Sequence, residues 1–137
     1  MPTIDEAVTT ITETAKTVNT QEIRHIESME ISQVVRQGDV YLHRVKDKHK
    51  RGAIIRTSRQ LAPGVTMGSR HVAEGDVTIY EGTTDPPKTT RLEIGPVIVA
   101  LDRFTVTHPE HAHYSLPSGT YQVTYQLDPR TNQRVQD

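Results

Sequence analysis

The fold of this chain is decided by His108-Pro-Glu-His-Ala-His-Tyr-Ser-Leu-Pro-Ser-Gly-Thr-Tyr-Gln-Val-Thr-Tyr-Gln126. From Thr120 onward its side chains alternate between an apolar face and a polar face, which is typical of a half-buried β-strand. The apolar face holds Tyr121, Val123, Tyr125 and Leu127, and the polar face holds Gln122, Thr124 and Gln126. Pro117-Ser118-Gly119 forms a turn, since proline presets φ and glycine tolerates positive φ. We expect this stretch to be the hairpin that closes a β domain.

Before His108, the chain contains further short segments with the apolar pattern of β-strands, and Gly and Pro separate them at intervals of roughly 8–12 residues. They cover residues 33–36, 40–43, 53–56, 72, 76–80, 91–94, 97–101 and 104–106. A hairpin is predicted around Glu74-Gly75, a strand break at Gly95-Pro96, and a bulge or corner at Asp102-Arg103. The predicted fold class is all-β: a small antiparallel barrel or sandwich of about seven or eight short strands.

Residues 1–35 differ from the rest and are predicted to be a partly helical or extended N-terminal arm. An apolar stripe at helical spacing begins at Ile4 and continues through Val8, Ile11 and Val18, with Ile23 and Ile26 in a connector. The many β-branched threonines weaken that helix, so the stripe needs a partner to order it. The alternatives are a frayed tail and a helix lying on its own domain. The β domain then spans residues 36–127, and residues 128–137 form a C-terminal tail.

Composition narrows the classes of function. The hydrophobic share is 34%, with no Trp and one Phe, so the core is thin and burial against other subunits is expected. The absence of Cys excludes disulfides and thiol catalysis. The longest apolar run, Val97–Leu101, is too short to span a membrane, and the N-terminus lacks a signal-peptide pattern. We therefore expect synthesis in a cytoplasm and no membrane partner.

Basic residues concentrate between His43 and Arg59, where Asp47 is the one acid. They are Arg44, Lys46, Lys48, Lys50, Arg51, Arg56 and Arg59. The run is interpreted as a solvated loop or as a partner-binding patch. A net charge of −1 argues against nucleic acid as the partner.

Histidines concentrate in the deciding stretch. His108, Glu110 and His111 lie close together, and His71 could approach from another strand. Imidazoles with a carboxylate are ligands that Zn, Fe or Mn accept. The alternative is a polar loop whose histidines are hydrogen-bonded to neighbours. No complete catalytic signature is present, so no catalytic residue and no required cofactor is predicted.

Three segments together resemble a family of small uncharacterised β proteins carried by bacteriophages, plasmids and bacterial genomes. They are Arg36-Gln37-Gly38-Asp39-Val40, Gly68-Ser69-Arg70-His71-Val72, and His108-Pro-Glu-His111 followed by Leu116-Pro-Ser-Gly-Thr-Tyr-Gln-Val123. The resemblance covers about residues 36–127 and implies no established activity. With its added arm, the chain is also similar in plan to the decoration, or cement, proteins of tailed phages.

The resulting expectation is a structural virion protein on the capsid exterior, made in the host bacterial cytoplasm. The resemblance implies the major capsid protein as partner and a homo-oligomer, with a trimer favoured. The arm and the basic run supply the predicted contacts. The alternative is a metal-binding β-barrel, acting as a hydrolase or a small-molecule binder through His71, His108, Glu110 and His111. A nucleic-acid binder acting through the basic run is a third hypothesis.

Overall fold

The computed structural model describes residues 22–47, 54–64, 66–81, 92–128, 130–131 and 133–134. These residues form one four-stranded and one seven-stranded β-sheet, so the all-β prediction is confirmed. The sheets do not close into a barrel, which favours the sandwich of the two predicted architectures. The four-stranded sheet is called the small sheet below, and the seven-stranded one the large sheet.

The small sheet has the strand order β1-β9-β8-β5. Its strands are β1 (Ile23–His25), β5 (Val72–Glu74), β8 (Phe104–Thr107) and β9 (His113–Leu116). The pairs β5 with β8 and β8 with β9 are antiparallel, whereas β1 pairs with β9 in parallel. The small sheet thus departs from the wholly antiparallel arrangement expected.

The large sheet has the order β2-β3-β10-β7-β6-β4, and β11 pairs with β10 outside this path. Its strands are β2 (Val34–Gln37), β3 (Val40–Val45), β4 (Ile54–Arg56), β6 (Val77–Glu81), β7 (Leu92–Ala100), β10 (Gly119–Asp128) and β11 (Gln133–Arg134). All its pairs are antiparallel. A 3-10 turn, Met67–Ser69, precedes β5.

Consecutive strands often lie in different sheets, and this corrects two predictions. The turn at Glu74-Gly75 joins β5 of the small sheet to β6 of the large sheet, so it closes no hairpin. The turn at Pro117-Ser118 likewise joins β9 to β10 across the sandwich. Asp102-Arg103 is a corner of the same kind, between β7 and β8. Local turn chemistry fixes a reversal of the chain, but the sheet that the next strand joins depends on its pairing partners.

The predicted break at Gly95-Pro96 is also wrong, because β7 runs through both residues. The register between β7 and β10 shifts between Gln122 and Thr124, opposite these residues. Proline lacks the amide hydrogen that a regular ladder needs, and a bulge is a place in a strand where that donor can be missing. The irregular register therefore accommodates Pro96 inside the longer strand.

Strand β10 lies at the centre of the large sheet, and both of its faces are buried. Tyr121, Val123 and Tyr125 face the hydrophobic core, as the alternation predicts. Gln122 and Thr124, predicted to lie on the polar face of a half-buried strand, are fully buried, and Thr120 is 2% exposed. The Gln122 amide Nε2 lies within 3.2 Å of the carbonyls of Gly95, Pro96 and Val123, which share its two hydrogens. Gln122 Oε1, by contrast, is buried with no hydrogen-bond partner among the described residues. The alternation thus marks the two faces of the strand and does not determine whether each is exposed.

The second half of the predicted arm packs on the domain. Residues 23–25 form β1, Ile26 packs against the core, and Met29 is buried in it. The apolar stripe at Ile4, Val8, Ile11 and Val18 lies outside the described residues. β1 and β11, which lie outside the predicted β domain of residues 36–127, pair with strands of that domain.

Candidate functional site

Three separate segments converge on a buried polar cluster, called the histidine cluster below. Gln37 ends β2, and Asp39 lies in the tight turn before β3. His71 precedes β5, and His108 directly follows β8. All four side chains are at most 1% exposed. Such burial requires that their polar atoms find partners inside the protein.

His71 bonds through both ring nitrogens. Its Nδ1 lies 2.8 Å from Gln37 Oε1, and its Nε2 lies 3.2 Å from Asp39 Oδ1. Gln37 Nε2 donates to the carbonyls of Val106 and Ala112 at 3.1 and 2.8 Å, which fixes the orientation of the amide. His71 Nδ1 is therefore a donor, and Nε2 faces the carboxyl of Asp39. The pair links the turn before β3 to the start of β5.

His108 is held as a neutral ring with its proton on Nε2. This nitrogen donates to the carbonyl of Gly68 at 3.1 Å. Its Nδ1 accepts the backbone amides of Glu110 and His111 at 3.0 and 3.2 Å. Burial lowers the pKa of His108, and the neighbouring His71 and His111 lower it further. The hydrogen bond to the Gly68 carbonyl and the charge of Glu110 act in the opposite direction and raise it. The ring organises the turn that follows β8.

The histidine rings also contact one another. The His71 and His108 centroids lie 4.3 Å apart, and the His108 and His111 centroids 4.5 Å apart. His113 Nε2 is 3.0 Å from the His108 carbonyl and adds a further bond to the turn. The cluster thus joins the segments on which the sequence resemblance rests.

The predicted metal ligands come together only in part. The rings of His71, His108 and His111 lie together at tilted angles. The Glu110 side chain is exposed, and the backbone amide of Glu110 donates to His108. Within the described ranges, no group of three or more His, Asp or Glu side chains is arranged to hold a metal ion. A ligating imidazole must offer a free nitrogen lone pair. His71 points both nitrogens at acceptors, and the Nδ1 lone pair of His108 already accepts two amides.

The predicted partner-binding residues have diverse surroundings. Arg44 is packed over the Tyr121 ring at 5.9 Å and pairs with Asp47 at 3.5 Å. Lys46 is exposed. Ile23 is 64% exposed on β1, whereas Ile26 packs against the core. Lys48, Lys50 and Arg51 lie outside the described residues, as do the four residues of the N-terminal stripe.

The sequence patterns predicted no side-chain contact for Gln37, Asp39 or Arg103. Gln37 and Asp39 lie in the segment Arg36–Val40, on either side of the turn glycine Gly38. Two polar side chains flanking a turn glycine are the sequence pattern that could have indicated their role. Arg103 Nη1 donates to the carbonyl of Ile26 at 2.9 Å and to Ser115 Oγ at 3.2 Å, and its Nη2 donates to the carbonyl of Glu27 at 3.0 Å. Nothing in its local sequence indicated that it fastens the segment before β2.

The outer strands of the sheets expose large apolar side chains. On β4, at one edge of the large sheet, Ile54 is 68% and Ile55 58% exposed. On β2, at the opposite edge, Val34 is 46% exposed. At the end of β4, Arg56 forms an ion pair at 2.6 Å with Glu81 of β6, and both residues line a pocket of about 420 Å³. An open edge of this kind is a template for pairing with another chain.

Comparisons with known proteins give one family. A family model described as "Domain of unknown function (DUF8820)" matches residues 36–126. Searches of curated proteins and of solved structures found no match. No helix in the described part of the chain is long and apolar enough to cross a membrane.

Proposed function

This chain belongs to the family described as Domain of unknown function (DUF8820), and we propose that it is a structural binding protein that decorates the outer surface of a bacteriophage capsid. The histidine cluster lies inside the family-matched region, and its hydrogen bonds join segments of the domain. This bonding supports a role in holding the fold. We therefore expect a partner to bind at the surface of the protein and not at the histidine cluster.

The observation that carries the proposal is the apolar edge strand β4. No described strand pairs with its outer side, and Ile54 and Ile55 are both more than half exposed. Fully burying an isoleucine side chain contributes about 1.5–3 kcal/mol. An edge that also offers backbone donors and acceptors can add a strand from a partner. Together these features favour attachment to another protein surface.

A preassembled, repetitive surface suits such a small contact. Three of the four outer strands, β1, β2 and β4, carry an exposed large apolar side chain. Each contact alone is modest, but several contacts to one assembly act at high effective concentration. The sequence resemblance to decoration proteins suggests that this surface is the major capsid protein lattice. In this proposal the chain is not an enzyme and has no cofactor.

Co-sedimentation with capsids purified from the virus that encodes the chain tests the proposal. Replacing Ile54 and Ile55 together by Lys should weaken binding at least tenfold, because each charge would have to be buried in the contact. Leu101→Lys is the matched control, since Leu101 is 74% exposed at a corner between sheets and not on an edge strand. Equal binding by the wild type and the β4 variant would overturn the proposal. So would a coding sequence that lies in no viral or prophage genome.

A further inference from the structure

Strand β1 precedes the family-matched region and is attached to the domain mainly through its backbone. It pairs in parallel with β9 through Ile23 with His113, Arg24 with Tyr114 and His25 with Ser115. The backbone amide of His113 donates to the carbonyl of Glu22, and that of Ile26 to the carbonyl of Ser115, both at 2.8 Å. All three β1 residues are exposed. The strand therefore behaves as a peptide added to an existing sheet edge.

The β9 edge has side chains that complete a receptor for this peptide. Arg103 donates to two successive carbonyls beyond β1, those of Ile26 and Glu27, at 2.9 and 3.0 Å. The Tyr114 hydroxyl accepts from Arg24 Nη1 at 3.3 Å, and the Arg24 guanidinium lies 5.9 Å from the centre of the Tyr114 ring. Met29 then enters the hydrophobic core. Residues 22–29 thus dock as one unit.

A short strained turn joins this unit to β2. The Gln33 amide donates to the Glu30 carbonyl at 3.0 Å, and Glu30 N donates back to Gln33 Oε1 at 2.7 Å. Between them Ser32 has φ of 83°, the one positive φ among the described non-glycine residues. That conformation is unfavourable for a residue with a Cβ, and opening the turn into extended chain would relieve it. Short strained hinges of this kind favour the exchange of an element between copies.

We propose that residues 22–29 are exchanged between copies of this chain, so that β1 of one copy pairs with β9 of the next. Every contact of Arg103, Tyr114 and the Met29 site is reproduced in the exchanged form. Only the hinge turn changes, including the bond from the Ser32 amide to the Arg44 carbonyl at 2.8 Å. The balance between closed and exchanged forms is then set by hinge strain and protein concentration. This inference goes beyond capsid attachment, because it concerns contacts between copies in solution and holds whether or not a capsid is bound.

Two single-cysteine variants of the full-length protein test the exchange, and the native chain has no cysteine to interfere. His25→Cys is mixed with a Ser115→Cys variant that carries a larger tag, the two are refolded together and oxidised, and the products are separated on a denaturing gel. These positions are directly paired between β1 and β9. Exchange predicts a mixed disulfide whose mass is the sum of the two chains. Pairing His25→Cys with Leu101→Cys is the control, and it should give little of that product.

The double variant His25→Cys/Ser115→Cys shows whether the substituted chain still folds with β1 beside β9, so that a missing mixed disulfide cannot be attributed to misfolding. If it closes into a covalent monomer at every concentration while the mixed pair gives no more product than the control, the proposal is overturned. Covalent dimers or larger rings that increase with concentration support it. Ser32→Gly should lower the yield of mixed disulfide several-fold, because glycine tolerates the positive φ of the closed turn. An unchanged yield would overturn the role given to the hinge.

Discussion

His71 Nε2 lies 3.2 Å from Asp39 Oδ1, and both side chains are fully buried. Removing one partner of such a pair takes a hydrogen bond from a polar group that stays in a water-excluded site. His71→Phe should therefore lower the free energy of unfolding by roughly 3–5 kcal/mol, measured by urea denaturation. His25→Phe is the control: His25 pairs with Glu27 at an exposed site, and its loss should cost less than about 0.5 kcal/mol. A loss for His71→Phe as small as that of the control would contradict the pairing.

Stability should fall as pH drops below about 6.5. Burial lowers the pKa of His108 and of His43 in the folded protein. Above the unfolded pKa both states are neutral and no penalty exists. Below it the unfolded chain binds protons that the folded chain does not, until pH reaches the lower folded pKa. The slope is at most about 1.4 kcal/mol per pH unit for each histidine.

Urea denaturation between pH 7.5 and 5 measures this dependence. In His108→Gln the slope should be shallower, because one of the two groups is gone. The wild-type protein, measured over the same pH range, is the comparison. An unchanged slope in His108→Gln would show that burial does not lower the pKa of His108.

Gly95→Ala should destabilise the protein by roughly 1–3 kcal/mol through overpacking. A Cβ at this position would lie 2.7 Å from the Tyr125 hydroxyl and 2.8 Å from its ring carbons. Tyr125 is buried, and its hydroxyl donates to the Leu61 carbonyl, so the ring has little freedom to move. In a Tyr125→Leu background the same substitution should cost markedly less. Additive effects in that double-mutant cycle would rule out the clash.

Deleting residues 1–21 should weaken capsid binding at least tenfold if the apolar stripe grips a neighbour. This truncation keeps Glu22 and all the described contacts of β1 with β9. Removing residues 1–30 would also remove Met29 from the core, so lost binding would then be confounded with lost stability. Thermal melting of the 1–21 deletion supplies the control. Full binding by a protein that melts normally would exclude a role for the stripe.

Chelators should leave the melting temperature unchanged. A bound metal stabilises the folded state by mass action, so its removal would lower the melting temperature. His71 and His108 instead use their ring nitrogens in hydrogen bonds to Gln37, Asp39, Gly68 and the following turn. A fall in melting temperature with EDTA, reversed by added Zn²⁺, would support the metal hypothesis.

The sequence by itself determined the all-β class and the positions of most strands. Alternation from Thr120 to Leu127 and breaks such as Pro117-Ser118-Gly119 depend on local backbone preferences, which neighbouring residues decide. The core face of β10 follows from the same alternation. By contrast, burial of Gln122 and Thr124 depends on the surrounding structure and on hydrogen bonds to other strands, which no local pattern records.

Only the tertiary structure decided which sheet each strand joins and which polar residues meet. The turns at Gly75 and Ser118 reverse the chain whichever sheet the next strand joins. Pairing of β6 with β4 and β7, and of β10 with β3 and β7, then places both strands in the large sheet. His71 and Asp39 are 32 residues apart and meet only when β3 and β5 are both in place. Their contact requires packing between distant segments, whereas a sequence pattern reports only what adjacent residues favour.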